Sequence, residues 1–243
     1  MNTKSIEHFI REFTNKLGLD LTRYRPEASE AGRLAAMLSH HKVDIVLDIG
    51  ANVGQFAWAL RRAGYCGNIV SFEPLSDAHA ALLEASRRDA LWEIAPRTAI
   101  GENEGEIEIH ISGNSVSSSI LGMLDSHVSA APTSNYVGTE TAPICTIDSI
   151  TGTYCPAEKC VFMKIDSQGY EPQILDGASE LLQKALGVQM ELSLVPLYED
   201  QQLSDVLIER MHALGFTTWA IWPALFDPET GRMLQADITF FRM

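Results

Sequence analysis

Three short stretches of this chain carry residue types that could do chemistry. Residues 48–54, Asp48-Ile49-Gly50-Ala51-Asn52-Val53-Gly54, follow an apolar, β-branched run. Glycines at 50 and 54 let the backbone at the end of a strand pass close to a ligand. Glu73 closes the next β-branched run, 68–73, about twenty residues past those glycines, where a carboxylate can accept hydrogen bonds from both hydroxyls of a ribose. Lys164 and Asp166 close a third run, 161–166, and the strand period of two puts them on one side. A charged pair there is costly unless it is used or mutually satisfied. Glu191, in the run 188–194, adds another carboxylate.

The spacing selects the ligand. A dinucleotide fingerprint needs G-x-G-x-x-G so that a helix N-terminus can hold a pyrophosphate. Here the pattern is Asp48-x-Gly50-x-Asn52-x-Gly54, so a nucleoside without phosphates fits best. S-adenosylmethionine is such a ligand. Its amino-acid end can meet the loop of Asp48, Gly50, Asn52 and Gly54, and its adenosine can reach Glu73 and Pro74. The small residue Ala99, in Thr98-Ala99-Ile100-Gly101, lies where an adenine would rest.

The elements that position these residues follow from pattern. Residues 44–49 read as a strand buried on both faces and 55–62 as a helix stopped by Gly64, so the unit is strand, tight turn, helix. In open α/β sheets a ligand sits beyond the carboxyl ends of the strands, where this turn lies. Further strands are expected at 68–73, 92–100, 161–166, 188–194, 216–222 and 237–241, making seven main strands with helices between all but the last pair. The last strand must then run antiparallel. Residues 106–111 alternate strictly, with Glu106, Glu108 and His110 on one face, and are expected to form a hairpin with the preceding strand across 102–105. Ahead of the domain, Ile6, Phe9, Ile10, Phe13 and Leu17 share one helical face that must pack on something, the same domain, a dimer partner or the cofactor site. A second helix is expected over 26–41. The resulting division is a helical extension, 1–42, and one domain, 43–243.

Residues 112–139 break the α/β rhythm with five serines between Ser112 and Ser119 and then Pro132, Asn135 and Gly138. A long polar excursion inside a compact domain is a binding loop or a mobile insertion. It is read as a substrate loop, with Ser117, Ser118 and His127 as contacts.

Composition bounds the partners. The chain has 243 residues, 46% of them hydrophobic, enough for one α/β domain with a full core. A formal net charge of -14 repels polyanions, so no nucleic-acid partner is expected. No run of 18 apolar residues occurs, and charged residues stand where a signal peptide would need its apolar core, so a cytoplasmic protein without membrane insertion is expected. Cys66, Cys145, Cys155 and Cys160 lack zinc or redox spacing and are read as buried free thiols.

The segments VLDIGANVGQF, SFEP, MKIDSQGYEPQILDGA and MELSLVPLYEDQ together resemble the FkbM family of S-adenosylmethionine-dependent methyltransferases over about 200 residues. The resemblance implies a class I methyltransferase fold, a Rossmann-like α/β domain with a seven-stranded, mostly parallel sheet. It also implies methylation of hydroxyls of sugars, glycolipids or polyketide natural products. The family usually has glutamate where this chain has Gln168, which leaves that side chain a hydrogen-bonding role toward substrate.

Methyl transfer to a hydroxyl needs alignment, exclusion of water and a proton sink. Asp166 is the first candidate base and Glu191 the second, with Lys164 beside them and His110 and His127 as further candidates. Two alternatives stay open. Asp166 and Glu191 could hold magnesium against the substrate oxygens, a route less favoured because Lys164 already supplies a cation there. The chain could also be a non-catalytic cofactor-binding module of the same fold, or a homodimer joined through its first helix.

Overall fold

The computed structural model describes residues 3–19 and 28–243. The chain runs α1 (Thr3–Lys16), α2 (Glu30–His40), β1 (Ile45–Ile49), α3 (Gln55–Arg62), β2 (Asn68–Phe72), α4 (Ser76–Ser86) and β3 (Trp92–Ile94). There follow β4 (Ala99–Ile100), β5 (Gly105–Ser112), α5 (Asp125–Ala130), β6 (Tyr136–Cys145) and α6 (Ile147–Tyr154). The last third comprises β7 (Val161–Ile165), α7 (Glu171–Asp176), α8 (Ser179–Leu182), β8 (Gly187–Ser193), α9 (Ser204–Ala213), β9 (Phe216–Phe226) and β10 (Met233–Arg242).

Seven strands form one sheet in the order β3-β2-β1-β7-β8-β10-β9. β10 is antiparallel to both neighbours, as the helix-free connection from β9 requires, and the other pairings are parallel. β1 is buried along its whole length, as expected of a central parallel strand covered on both faces. Its side chains alternate between two cores. Ile45, Leu47 and Ile49 share one core cluster with Ile174, Leu175 and Leu207, and Val46 shares the other with Leu38, Ala57 and Leu60 from α2 and α3. Local chemistry fixes the helix starts: the Ser29 hydroxyl accepts the Gly32 N–H at the head of α2, and Thr146 accepts the Ser149 N–H at the head of α6. The expected start of the second helix at Pro26 lies outside the described residues.

Several expectations change. The segment 92–100 is two strands: β3 belongs to the main sheet and β4 to a second sheet of order β4-β6-β5. β5 therefore makes no hairpin with its predecessor. It pairs antiparallel with β6, from Gly105↔Ile144 to Ser112↔Tyr136, because β4 is two residues long and offers no ladder of matching length. The serine-rich excursion is likewise shorter than expected, since it carries α5 and its last residues already belong to β6. Finally, the apolar face of α1 is uncovered by any described residue, with Phe9 66% and Phe13 58% exposed. The four cysteines are free, but Cys66 is exposed and the other three are half-buried.

The loop after β1 is held by its neighbours. The N–H groups of Gly50 and Ala51 donate to the Phe72 carbonyl at 3.1 and 3.0 Å, and the Asp166 N–H donates to Ile49 at 3.0 Å. Gly50 has φ +77°, and a Cβ there would overlap the Asp166 carbonyl. This glycine is required for strand-end packing before any ligand arrives. Gly50→Ala combines a left-handed non-glycine backbone with that overlap and should destabilise the fold by at least about 2 kcal/mol. Thermal unfolding followed by circular dichroism checks this, and an unchanged melting temperature would contradict it.

Candidate active site

The C-terminal ends of β1, β2, β4 and β7 surround a cleft of about 720 Å³. Gly50, Asn52, Glu73, Pro74, Ala99 and Asp166 all line it, with Phe72, Ile100, Ile109 and Ile174 as apolar walls. The serine-rich stretch closes one side through Ser115, Val116, Ser118, Ser119 and Ile120. It is tied down there: Asn52 donates to the Ser115 hydroxyl at 3.4 Å, and Ser119 donates to the Gln168 carbonyl at 2.8 Å. The stretch expected to meet substrate is thus also a wall of the cleft that contains Glu73.

Glu73 is nearly inaccessible and knits the cleft together. Its Oε2 accepts the Asn52 N–H at 2.7 Å and its Oε1 accepts the Leu75 N–H at 2.9 Å. Burial pushes its carboxyl up to about 7 despite those bonds. Asn52 sits at φ +48°, and its buried Oδ1 has no partner among the described residues. A carboxylate with lone pairs to spare beside an unused amide oxygen suits a ligand rich in O–H and N–H donors. That is the chemistry of a ribose and an ammonium.

Two residues expected at the cofactor lie elsewhere. Asp48 points beneath the sheet, in register with Ser71 and Lys164, and its Oδ2 accepts the Ser71 hydroxyl at 3.1 Å. Ser71 in turn accepts the Trp92 indole N–H at 2.9 Å. Burial raises the Asp48 carboxyl to about 6. Gly54 caps α3 with φ +91°, and its missing Cβ makes room for the Trp92 ring, 2.6 Å from where that atom would stand. Both residues shape the loop and neither lines the cleft.

The motif 164–171 is largely architecture around one carboxylate. Lys164 lies over the Phe56 ring and donates to Asp166 Oδ2 at 2.9 Å. Gln168, in the left-handed region at φ +55°, donates from one amide nitrogen to Asp166 Oδ1 at 2.7 Å and to Glu191 Oε2 at 2.6 Å, and accepts from the Tyr198 hydroxyl at 2.6 Å. Gln235 adds a second donor to Glu191 at 3.1 Å. Glu171 gathers the Ser167 and Gly169 N–H groups and so shapes the turn. Burial and the neighbouring Asp166 and Asp237 hold the Glu191 carboxyl well above the usual range, which favours its neutral form. Glu191 is therefore unsuited to accept a proton at rest, and of the two candidate bases Asp166 is the one that lines the cleft.

The remaining candidates are not brought to the cleft. His110 occupies the face of β5 opposite Ile109 and stacks on Tyr136 at 4.8 Å. His127 is buried against Tyr198, with its Nδ1 unpartnered among the described residues and its pKa lowered by burial. Ser117 is buried and accepts from Asn114, whereas Ser118 does line the cleft. Residues that sequence patterns did not single out include Gln55, which lines this cleft and a neighbouring cavity, and Tyr198, which orients Gln168. The PLY stretch containing Tyr198 was the available signal. For magnesium the donor set fits poorly. Both Asp166 oxygens and Glu191 Oε2 already accept N–H bonds, and no group of three metal-binding side chains occurs among the described residues.

The strand order with its single antiparallel strand, and a ligand cleft at the strands' C-terminal edge, define the class I methyltransferase architecture. The sequence pattern described as the methyltransferase FkbM domain matches residues 48–218, and the chain belongs to that family of S-adenosylmethionine-dependent methyltransferases. No curated protein sequence matches the chain. Among solved structures, a provisionally assigned O-methyltransferase from Klebsiella pneumoniae is similar at TM-score 0.50 and 12% identity, over 97% of this chain and 89% of that one. The O-methyltransferase TomG from Streptomyces achromogenes, involved in tomaymycin synthesis and solved with S-adenosylmethionine, gives 0.47 and 13%, over 96% and 87%. An O-methyltransferase from Bacillus cereus solved with S-adenosylhomocysteine gives 0.47 and 11%, over 100% and 92%. At such identities the likeness is one of fold.

The raised carboxyls give a pH prediction. Asp48 at about 6, Glu73 at about 7 and Asp237 at about 7 bind more protons in the folded chain than in the unfolded one. Their contribution to stability is therefore complete below the unfolded values and lost as pH rises through 6 to 7. The melting temperature should fall between pH 5 and pH 8. Gln168→Glu replaces a donor to two carboxylates with a third carboxylate and should steepen that fall. A melting temperature that rises from pH 5 to 8 would contradict the assignment.

Proposed function

We propose that the protein is an O-methyltransferase that methylates a hydroxyl of a sugar, glycolipid or polyketide-type natural product. The observation that carries this reading is that Asp166, at the edge of the Glu73 cleft, also lines a second cavity, so one carboxylate borders two adjoining sites. S-adenosylmethionine, when bound, supplies an electrophilic methyl group on a sulfonium and leaves as the neutral thioether. Glu73 would hold the ribose hydroxyls, Asn52 Oδ1 a donor of the amino-acid end, and the apolar walls around Ala99 the adenine. Asp166, fixed from two sides by Lys164 and Gln168, keeps lone pairs free to take the hydroxyl proton as the new O–C bond forms. The acidic surface, with its net charge of -14, supports a small-molecule acceptor over nucleic acid. No helix among the described residues is long and apolar enough to cross a membrane. A cytoplasmic location is part of the same proposal.

A magnesium-assisted reaction is the second reading, and the N–H donors already on Asp166 and Glu191 weigh against it.

Glu73→Ala should weaken S-adenosylhomocysteine binding by about 1 to 3 kcal/mol, the cost of removing a partner from buried polar groups. Calorimetry reads this, and an unchanged affinity would remove Glu73 from the site. Asp166→Asn should keep the cofactor bound and slow methyl transfer by about 10² to 10⁴-fold. Chelator should leave the wild-type rate unchanged. Loss of activity on chelation, restored by magnesium, would replace the metal-free mechanism with the second reading.

A further inference from the structure

The cavity of about 770 Å³ on the α2 and α3 side of the sheet holds an unbalanced set of charges. Glu30, Lys164, Asp166, Gln189 and Asp237 line it, with Phe56, Leu34 and Leu60 as apolar walls. Lys164 is paired with Asp166. Glu30 and Asp237 then have no cation within ion-pair distance among the described residues, and Asp237 makes no hydrogen bond there. Gln189 lies in register with Lys164 and is 2% exposed. Its Nε2 donates to Glu30 at 3.0 Å, while its Oε1 is buried without a partner. One oxygen of Glu30, both of Asp237 and the amide oxygen of Gln189 are uncommitted acceptors, beside the N–H groups that Lys164 keeps beyond its bond to Asp166. Burial raises both the Glu30 and Asp237 carboxyls, an effect that the Lys164 charge offsets only in part and that a bound cation would oppose.

A neutral polyol brings no charge to such a wall. A primary ammonium brings three donors and a positive charge to set against Glu30 and Asp237, which Lys164, paired with Asp166, leaves without an ion-pair partner. The Phe56 ring offers it a further favourable surface. The Glu73 cleft carries the groups suited to a ribose, so the second cavity, which shares Asp166 with it, is left for the other ligand.

We infer that this cavity is the acceptor pocket and that it selects an acceptor carrying a basic amino group near the hydroxyl to be methylated, as an amino sugar does. The inference rests on the methyltransferase reading for the word acceptor, but the amine specificity is a property of the cavity alone.

The test is binding of D-glucosamine, D-glucose and N-acetylglucosamine to the full chain saturated with S-adenosylhomocysteine, read by ligand-observed NMR titration. Glucosamine should bind at least about tenfold more tightly than either neutral sugar, and Asp237→Asn or Glu30→Gln should each remove about ten- to a hundredfold of that affinity. Both variants should bind S-adenosylhomocysteine as the wild type does, which also reports that they fold. Equal binding of all three sugars, or no binding of glucosamine, would overturn the inference. So would loss of S-adenosylhomocysteine affinity in a folded Asp237→Asn chain, since the cavity would then hold the amino-acid end of the cofactor. A wild type that binds glucosamine selectively but not S-adenosylhomocysteine would instead sink the methyltransferase reading and leave the amine pocket standing.

Discussion

A single buried ammonium sets the electrostatics of this protein. Lys164 stands in the middle of the sheet with Asp48 beside it on β1, Asp166 two residues on and Asp237 across the sheet on β10. An isolated ion in that position would be prohibitively costly, and the carboxylates around it hold its pKa above the ordinary lysine value in spite of burial. Burial pushes Asp48, Glu191 and Asp237 toward their neutral forms, and one lysine offsets this only in part, while Asp166 takes the direct ion pair.

Gln168 converts that balance into a fixed geometry. A glutamine can donate to two carboxylates at once and still accept from Tyr198, whereas a glutamate at this position would have to share a proton or a cation with both. Gln168 thus ties Asp166 and Glu191 together through one amide nitrogen. Ser119 binding to the Gln168 carbonyl extends the same node to the serine-rich wall, so the loop over the cleft and the carboxylates at its edge are positioned by one residue.

Much of this arrangement was legible in the sequence because it depends on local pattern. The β-branched runs, the glycine turn after β1 and the acid ending β2 place Gly50, Asn52 and Glu73 on one cleft by strand order alone. What was not legible depends on partners distant in the chain. The alternation in β5 announces a strand but not its mate, and β6 lies beyond the whole serine-rich segment. The parity of β1 turns Asp48 toward the α2 face with Val46, although its place in the chain, two residues before Gly50, adjoins the loop that lines the cleft. Glu30, Gln189 and Asp237 come from a helix and two strands spread across the chain, and no spacing rule joins them. His110 and His127 show the same limit from the other side: the right residue types, placed by the tertiary fold against Tyr136 and Tyr198 and away from the cleft lining.

The account stands on Glu73 and Asp166 bordering one ligand. A crystal structure with S-adenosylhomocysteine tests this most directly. The ribose hydroxyls should lie within hydrogen-bond distance of Glu73, the adenine against Ala99 and Ile100, and the sulfur should face Asp166 where the two cavities meet. A cofactor seated entirely in the cavity beneath α2, or a ribose held by residues other than Glu73, would contradict the account.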